Sequence, residues 1–309
     1  MSGEGNMWRL RLPATSANLG SGFDAVAIAL DFALEIEAGS AEVFSIAATG
    51  RNAESCSRLE GNLILETYKQ ILQANERPVV PLALQVANGI PLAMGCGSSA
   101  AALLAGISLA VHFGQLDWSA ERVLDEAYAR EGHPDNVAAC WLGGFVAAAC
   151  QDGHVKVAQV KPPEDWRAIV VCPAASLATS KARAVLPACY TLKDVVANLQ
   201  SVSVLGLAFQ QARGDLLGLA MKDRIHQPYR ENICPLLPLL LPLVGSNGIL
   251  GAALSGAGPA VLIVVDKGSN LAAASSAIEK AIFGRVQAEQ VVSRLSTAGA
   301  KQMIENIAR

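Results

Sequence analysis

The sequence lacks a credible membrane span or export signal. Its richest apolar run, residues 236–244, is short and is interrupted by Pro238 and Pro242, whereas a transmembrane helix needs roughly 20 apolar residues. The first 13 residues, MSGEGNMWRLRLP, contain no uninterrupted apolar segment of the kind found in secretory signals. The high apolar content, 52% with a mean hydropathy of +0.34, is therefore interpreted as core material, and we expect a cytoplasmic protein without a membrane partner.

The sequence also lacks paired cysteines and basic runs. Its seven cysteines are odd in number and scattered, and no two have CxxC spacing, so neither a zinc site nor a disulfide framework is indicated. They are typical of the reduced thiols of a cytosolic protein. The net charge is −3 and no segment is rich in Lys or Arg, so we expect no nucleic-acid partner.

Three common phosphate-binding signatures are absent as well. There is no GxxxxGKS or GxxxxGKT, because Gly95 and Gly97 are followed by serines and alanines without a lysine. GxGxxG is missing because Ala100 stands where the third glycine is required. The HRD and DFG signatures of protein kinases are also missing.

Helical and alternating patterns are intermixed without a regular βαβ period, which favours an α+β fold. Alternation predicts strands at 8–12, ending at Pro13, at 25–37 and at 82–88, and a hairpin of 143–149 and 154–160 that turns at 151–153. Apolar spacing predicts helices at 62–75, 98–113 and 118–131, the last capped by Ser119. The segment KPPEDW, 161–166, indicates a boundary between domains 1–163 and 164–309. Beyond it we expect a strand at 167–173, a helix near 191–212, a strand pair in 248–265, a helix at 270–282 and a strand at 285–292.

The stretch PLAMGCGSSAA, 91–101, sets glycines and serines directly before the apolar helix at 98–113. Small residues at a helix entry allow close packing, which is one explanation. The other is an anion site, because glycines permit close backbone approach and a helix N-terminus favours negative charge. The residues of this stretch alone favour neither explanation over the other.

Three segments, taken in order, resemble the motifs of the GHMP kinases, the family of galactokinase, homoserine kinase, mevalonate kinase and phosphomevalonate kinase. They are PATSANLGSGFD (13–24), PLAMGCGSSAA (91–101) and GAALSGAGPAV (251–261). The second has the usual form P-x-x-x-G-L-G-S-S-A-A, except that Cys96 replaces a leucine. The resemblance implies an N-terminal domain like ribosomal protein S5 domain 2, a ferredoxin-like C-terminal domain and a site between them.

Within the family, three stretches resemble the homoserine kinases: the first motif, EGHPDNVAACWLGG (131–144) and DRIHQPYR (223–230). A further stretch, TSKARAVLP (179–187), adds Thr179 and Arg183 in the family's spacing. The resemblance implies ATP, Mg2+ and L-homoserine as ligands, phosphorylation of the homoserine hydroxyl in threonine biosynthesis, and a homodimer. It implies that ATP is bound by the second motif, namely Pro91, Leu92, Ala93, Met94, Gly95, Cys96, Gly97, Ser98, Ser99, Ala100 and Ala101.

The carried-over residues suit a small zwitterion that bears an alcohol. Arg183 and Arg230 can bind its carboxylate bidentately, and Asp24 suits its ammonium. The remaining assignments place Asn18 and Asn136 at the hydroxyl, with His133 assisting; Asp135 as the candidate base; Thr179 and Gly256 beside the substrate; and Glu131 with Ser98 or Ser99 at Mg2+. Phosphoryl transfer depends mainly on alignment and charge neutralisation, so either Asp135 or the phosphate itself takes the proton.

Most of these residue types also have ordinary structural roles. Asn18 and Asp24 suit a turn, Asp135 and Asn136 suit a helix cap, and the arginines suit surface ion pairs. His112, His154 and His226 are interpreted as histidines without a function. Two other functions are considered: a GHMP kinase for mevalonate or a phosphorylated isoprenoid precursor, which needs no anion for an ammonium, and a non-catalytic regulatory relative, which would not need Glu131 and the serines.

Overall fold

The computed structural model of the protein describes residues 7–266, 271–302 and 304–306. The predicted domain limits at residues 1 and 309, and residue 270 of the last predicted helix, lie outside these ranges. The strands are β1 (Trp8–Ala17), β2 (Val26–Ser40), β3 (Ser45–Gly50), β4 (Leu82–Asn88), β5 (Phe145–Gln151), β6 (His154–Val160), β7 (Arg167–Pro173), β8 (Ile249–Leu254), β9 (Val261–Val265), β10 (Ala288–Arg294) and β11 (Ile304–Asn306). The α-helices are α1 (Ala53–Cys56), α2 (Leu63–Ala74), α3 (Ser98–Phe113), α4 (Ala120–Glu131), α5 (Asp135–Leu142), α6 (Thr179–Ala184), α7 (Leu192–Gln210), α8 (Leu217–Ala220), α9 (Gln227–Arg230), α10 (Leu236–Leu240) and α11 (Leu271–Ile282).

The first sheet gathers the N-terminal half of the chain. Its strands run in the order β11-β1-β2-β4-β3, and β5 pairs with both β2 and β6. All these pairs are antiparallel except β3–β4, which is parallel. The predicted hairpin is confirmed as β5 and β6 with the turn at Asp152-Gly153. The helices α2 to α5 pack together, and α3 and α5 lie against β1.

The second sheet has the order β10-β7-β9-β8, and its pairs are antiparallel. With helices after β7 and after β9, this is the β-α-β-β-α-β arrangement of a ferredoxin-like fold. The predicted boundary at 163/164 falls between β6 and β7, and it stays a prediction. The short strand β11 returns to the first sheet and pairs with β1.

Strand β7 joins the two halves because both of its faces are buried. Ala168, Val170 and Cys172 belong to the larger hydrophobic cluster, which covers the first sheet, whereas Ile169 and Val171 belong to a cluster within the second half. Successive side chains of a strand point to opposite faces. The continuous apolar run of β7 therefore packs into both hydrophobic clusters.

Two local predictions are confirmed by their contacts. The helix α3 is buried on every side from Ala100 to Ala110 except at Ala102, as its uniformly apolar sequence indicates. Ser119 caps α4 by accepting a hydrogen bond from the Arg122 backbone N–H at 3.2 Å. The cap forms although the position three residues on is arginine and not the glutamate of a capping box.

The predicted end of the first strand is wrong. The first strand does not end at Pro13 but runs on to Ala17, with a register irregularity between Pro13 and Thr15 that accommodates the missing N–H.

The helix α7 bears on the expectation that the chain has no membrane span. Among the described residues, it is the one helix long and apolar enough to cross a membrane by length and composition, and 22% of its most apolar 18-residue stretch is buried. A single such helix is weak evidence for a span, because helices of soluble proteins pass the same test.

Candidate active site

The three glycine-rich segments, far apart in sequence, hydrogen-bond to one another. Gly256 N donates to Ala17 O at 3.0 Å, and Asn18 Nδ2 donates back to Gly256 O at 2.8 Å. Ser255 Oγ donates to Gly95 O at 2.7 Å. The segments 13–24, 91–101 and 251–261 therefore form one continuous surface.

The glycines of the second segment are required by packing. Gly95 and Gly97 have positive φ angles of 79° and 71°, which side chains rarely adopt. An added Cβ would lie 2.0 Å from Ser255 O at Gly95 and 1.9 Å from Thr15 Oγ1 at Gly97. The explanation by close packing therefore holds for the two glycines, and this packing brings the loop into contact with both neighbouring segments.

The same packing leaves the loop suited to an anion. The carbonyls of residues 93 to 96 accept hydrogen bonds from neighbouring segments. In order, the donors are Leu177 N, Ala260 N, Ser255 Oγ and Thr15 N. The first N–H groups of a helix have no intrahelical partner, and here they belong to α3, whose N-cap is Gly97. Carbonyls held by the protein and free N–H groups at a helix start favour a bound phosphate.

A cavity of about 480 Å³ lies over this loop. Every residue predicted for the site lines it except Pro91, Met94, Ala100 and Ala101. Pro91 and Met94 border a neighbouring cleft, and Ala100 and Ala101 are fully buried in α3. The structure thus brings together residues predicted from six separate stretches of the chain.

One wall of the cavity was missed by sequence reasoning. It is apolar and comes from α1, α2, β4 and the residues just after β4, with residues Cys56, Leu63, Ile64, Val86 and Ile90. Asn62 and Asn88 add amides to this side. Nothing in the sequence distinguishes these residues from ordinary core positions, so only the fold shows that they face a cavity.

The charged end of the cavity contains Asp24, Arg183 and Arg230. Arg183 donates from Nη1 and Nη2 to Asp24 Oδ2 and Oδ1 at 2.9 and 2.8 Å, so the predicted carboxylate ligand and ammonium ligand pair with each other. Both guanidinium groups lie 5.5 Å from the centre of the Phe23 ring. The hydrogen bond to Asp24 raises the pKa of Arg183, and burial and the nearby Arg183 lower that of Arg230.

Asp135 and Asn136 begin α5 and are both buried. Asp135 Oδ1 accepts from the Asn136 backbone N–H at 2.7 Å and lies 2.9 Å from His133 Nδ1. Burial opposes protonation of His133, but the hydrogen bond and the charge of Asp135 outweigh it, so the pKa of His133 is raised. Thr15, which was not predicted, donates from Oγ1 to Asn136 Oδ1 at 2.6 Å and so fixes that amide.

Asn18 is held at both ends of its amide. Its Oδ1 accepts from the Asp24 backbone N–H at 2.9 Å, while its Nδ2 donates to Gly256 O. The structural role considered for Asn18, a turn residue, is therefore present. A second N–H on Nδ2 would be the donor for any contact with a ligand hydroxyl.

The residues predicted for magnesium lie together. Ser99 Oγ donates to Glu131 Oε2 at 2.8 Å, and Ser98 lines the same part of the cavity. Burial raises the pKa of Glu131, and the Ser99 hydrogen bond opposes that rise. A half-buried carboxylate beside a hydroxyl supplies the oxygen donors that Mg2+ prefers, so these residues fit the ion.

Family comparisons agree with this geometry. Residues 62–144 match the family model "GHMP kinases N terminal domain" and residues 207–285 match "GHMP kinases C terminal". The chain belongs to the GHMP kinase family. This match confirms the resemblance seen in the three motifs. Members of the family are phosphotransferases.

Within the GHMP kinases, the chain is similar to proteins named homoserine kinase. It is 42% identical to that of Solibacter usitatus over 269 residues, 87% of this chain and 88% of the relative. It is 34% identical to that of Synechocystis sp. over 293 residues, 94% of this chain and 96% of the relative. The crystal structure of homoserine kinase from Cytophaga hutchinsonii covers 97% of this chain and 98% of its own, with a TM-score of 0.80 at 24% identity, and it confirms the two-domain fold.

Proposed function

We propose that the protein transfers the γ-phosphoryl group of ATP to the side-chain hydroxyl of L-homoserine, giving ADP and O-phosphohomoserine, a step of threonine biosynthesis. The homoserine kinases of the family, similar over most of the chain, support this activity. The observation that carries the proposal is a single cavity with a phosphate-type loop at one side and Asp24, Arg183 and Arg230 at the other. This is what a kinase for a small zwitterion needs.

The charged end fits the amino-acid part of homoserine. The carboxylate binds Arg230 and Arg183 through paired N–H donors, and the ammonium binds Asp24. Asp24 and Arg183 are already paired, so the substrate exchanges their mutual contacts for its own. A zwitterion replaces both halves of the pair at once, which keeps each charge compensated.

The hydroxyl of homoserine extends from this end toward His133, Asp135 and Asn136. The Thr15 contact orients the Asn136 amide, whose Nδ2 donates to Asp135 Oδ1 at 3.4 Å and has a second N–H for the substrate hydroxyl. Asp135 keeps a second carboxylate oxygen beyond the one bound by His133 and the Asn136 N–H. Whether that oxygen or the transferred phosphate takes the proton is an open part of the proposal, since alignment carries most of the catalysis.

ATP would be held along the loop 91–101. The N–H groups of the loop and of the start of α3 would donate to its phosphates, and the apolar wall formed by Leu63, Ile64 and Val86 would suit its base. Mg2+, held by Glu131 with Ser99 or Ser98, would neutralise charge on the β- and γ-phosphates. A homodimer and a cytoplasmic location are expected from the family resemblance and stay predictions, as does the absence of a nucleic-acid partner.

The test is ADP release by purified protein with Mg-ATP and, separately, L-homoserine, mevalonate and galactose. We expect saturable turnover with homoserine alone. Turnover with mevalonate would keep the family and overturn the assignments of Asp24, Arg183 and Arg230. No turnover with any of the three, beside measurable ATP binding, would point to another alcohol or to a regulatory protein.

A further inference from the structure

His226 occupies a fully buried position between two parts of the candidate site. It immediately precedes the short helix α9, and its ring stacks on Phe23 with centroids 5.1 Å apart. Its Nε2 lies 2.9 Å from Gly20 O, in the first glycine-rich segment. Its Nδ1 lies 2.9 Å from Nη1 of Arg230.

These two contacts fix the proton on one ring nitrogen. A carbonyl only accepts, so Nε2 carries the hydrogen that is donated to Gly20 O. An arginine only donates, so Nδ1 presents its lone pair to Arg230. Asp223 fixes the backbone at the start of α9, because its Oδ2 accepts hydrogen bonds from the backbone N–H groups of His226 and Gln227 at 2.8 and 2.7 Å.

The position of Arg230 depends on few contacts. Its Nε donates to Ala182 O at 3.0 Å and its Nη1 donates to His226, while the guanidinium lies over Phe23. Arginine has five N–H donors, so those left on Nη1 and Nη2 serve the cavity that Arg230 lines. Without an acceptor at His226, a single carbonyl and a ring face would orient the fork.

We propose that His226 is a positioning residue for the substrate carboxylate. Its Nδ1 accepts a hydrogen bond from Arg230 and so orients the guanidinium group, while its Nε2 donates to Gly20 O and so connects that group to the loop that carries Asn18 and Asp24. The inference rests on the proposed function, because it assigns the carboxylate to Arg230. The sequence interpretation of His226 as a histidine without a function leaves this contact out.

Two variants separate the acceptor from the bulk of the ring. In His226→Asn the amide oxygen takes the place of Nδ1 and still accepts from Arg230, while the donor to Gly20 is lost. In His226→Gln the longer amide reaches the place of Nε2 and still donates to Gly20, while the acceptor for Arg230 is lost. Both replace a buried ring by a smaller amide, so general loss of packing affects both.

We expect His226→Gln to raise KM for homoserine about tenfold or more, as the loss of a hydrogen bond to a charged group does. His226→Asn should recover most of that loss, and KM for ATP should change less than about twofold in both. His112→Asn, outside the site, serves as the matched control. Thermal unfolding of all three variants shows how much of each effect comes from stability.

Equal KM values for homoserine in the Asn and Gln variants, or parallel rises in KM for ATP, would overturn the positioning role. The proposed function is tested separately by the wild-type protein. If the wild type turns over mevalonate instead, which also bears a carboxylate, the same Asn–Gln comparison applies to that substrate. Absence of turnover with either would overturn the inference together with the proposed function.

Discussion

Arg183 donates two parallel hydrogen bonds to the carboxylate of Asp24, at 2.9 and 2.8 Å, across 159 residues of sequence. The pair joins α6 of the second half to the first glycine-rich segment, at the mouth of the charged end of the cavity. Both side chains are about one-third exposed, at 39% and 32%. Because solvent reaches the pair, it contributes little to stability, and its charges are available for exchange with a zwitterion.

Asp24→Asn should therefore weaken the binding of homoserine without affecting ATP. The variant leaves Arg183 without its anion and removes the partner of the substrate ammonium. We expect KM for homoserine to rise about tenfold or more, with KM for ATP changed less than about twofold. Steady-state kinetics with each substrate varied in turn measures both values.

Asp31→Asn is the matched control for that prediction. Asp31 is half-exposed, contacts Arg11 on the surface and does not line the cavity, so its variant should keep both KM values. Unchanged kinetics in Asp24→Asn would contradict an ammonium site and favour a substrate such as mevalonate.

Thr15→Val should lower kcat because it removes the donor that fixes Asn136. Thr15 is fully buried, and its Oγ1 lies 2.6 Å from Asn136 Oδ1. Valine has nearly the shape of threonine, so the change leaves a buried acceptor unpaired with little loss of packing, at a cost of about 1–3 kcal/mol. We expect kcat to fall about tenfold, whereas Thr15→Ser, which keeps the hydroxyl, should stay within about twofold to threefold. Equal kcat values for the two variants would contradict a role of the Thr15 hydroxyl in fixing Asn136 for catalysis.

Gly95→Ala should disrupt the loop far more than an alanine at an unconstrained glycine. At Gly95 the new Cβ would lie 2.0 Å from Ser255 O, and φ is 79°. Gly153 has a similar φ of 81° and nothing within 4 Å of an added Cβ, so Gly153→Ala shows the conformational cost alone, about 1–2 kcal/mol. We expect Gly95→Ala to lose ATP binding and Gly153→Ala to retain it, measured by calorimetric titration with Mg-ATP. Retention in both would show that the loop tolerates movement away from the third segment.

The sequence predicted the loop and the charged end of the candidate site, because its three glycine-rich motifs and three further stretches resemble those of a known family. It did not predict Thr15 or the apolar wall, since their roles depend on contacts formed only in the folded chain. Thr15 lies inside the first motif, beyond the predicted strand end at Pro13, with nothing to mark it for a role, and Ile64 has the spacing of the buried face of α2. The parallel strand β3 was also missed, because its alternation is weak and its side chains are mostly exposed. Motifs identify a site from local sequence, whereas its supporting contacts require the fold.

His112 should make the protein less stable at acid pH. It stacks on Trp8 and meets Phe113 edge-on, and burial lowers its pKa below the ordinary value of 6.5. The unfolded chain therefore binds a proton near pH 6.5 that the folded protein refuses, so this contribution is complete above that pH and is lost as the pH falls through it toward the folded-state pKa. His112→Phe keeps an aromatic ring and removes the titration. We expect urea unfolding at about pH 8 and about pH 5.5 to show a smaller loss of stability in the variant than in the wild type.

A residual acid dependence should remain in His112→Phe, because burial and the charge of Arg230 also lower the pKa of the buried His226. The difference between wild type and variant is therefore the quantity to compare. An identical acid-induced loss in both proteins would show that the His112 ring is protonated equally in the folded and unfolded states.

Glu131→Gln should raise the magnesium requirement of the enzyme. Glu131 is the carboxylate beside Ser99 Oγ, and glutamine keeps its size while removing the negative charge that a divalent cation needs. We expect the Mg2+ concentration for half-maximal activity to rise about tenfold or more. Calorimetric titration of Mg2+ into protein with a non-hydrolysable ATP analogue gives the same comparison without turnover.

The control for this prediction is Glu126→Gln. Glu126 lies on the same helix and is ion-paired with Arg130 at 2.8 Å, so its variant should keep the wild-type Mg2+ requirement. Ser99→Ala and Ser98→Ala then identify the hydroxyl ligand, and the Ser99–Glu131 contact predicts the larger effect at Ser99. A wild-type Mg2+ requirement in Glu131→Gln would contradict its assignment and direct attention to the cluster of Asp24, His133 and Asp135, whose ligand atoms lie within 4.8 Å of one another.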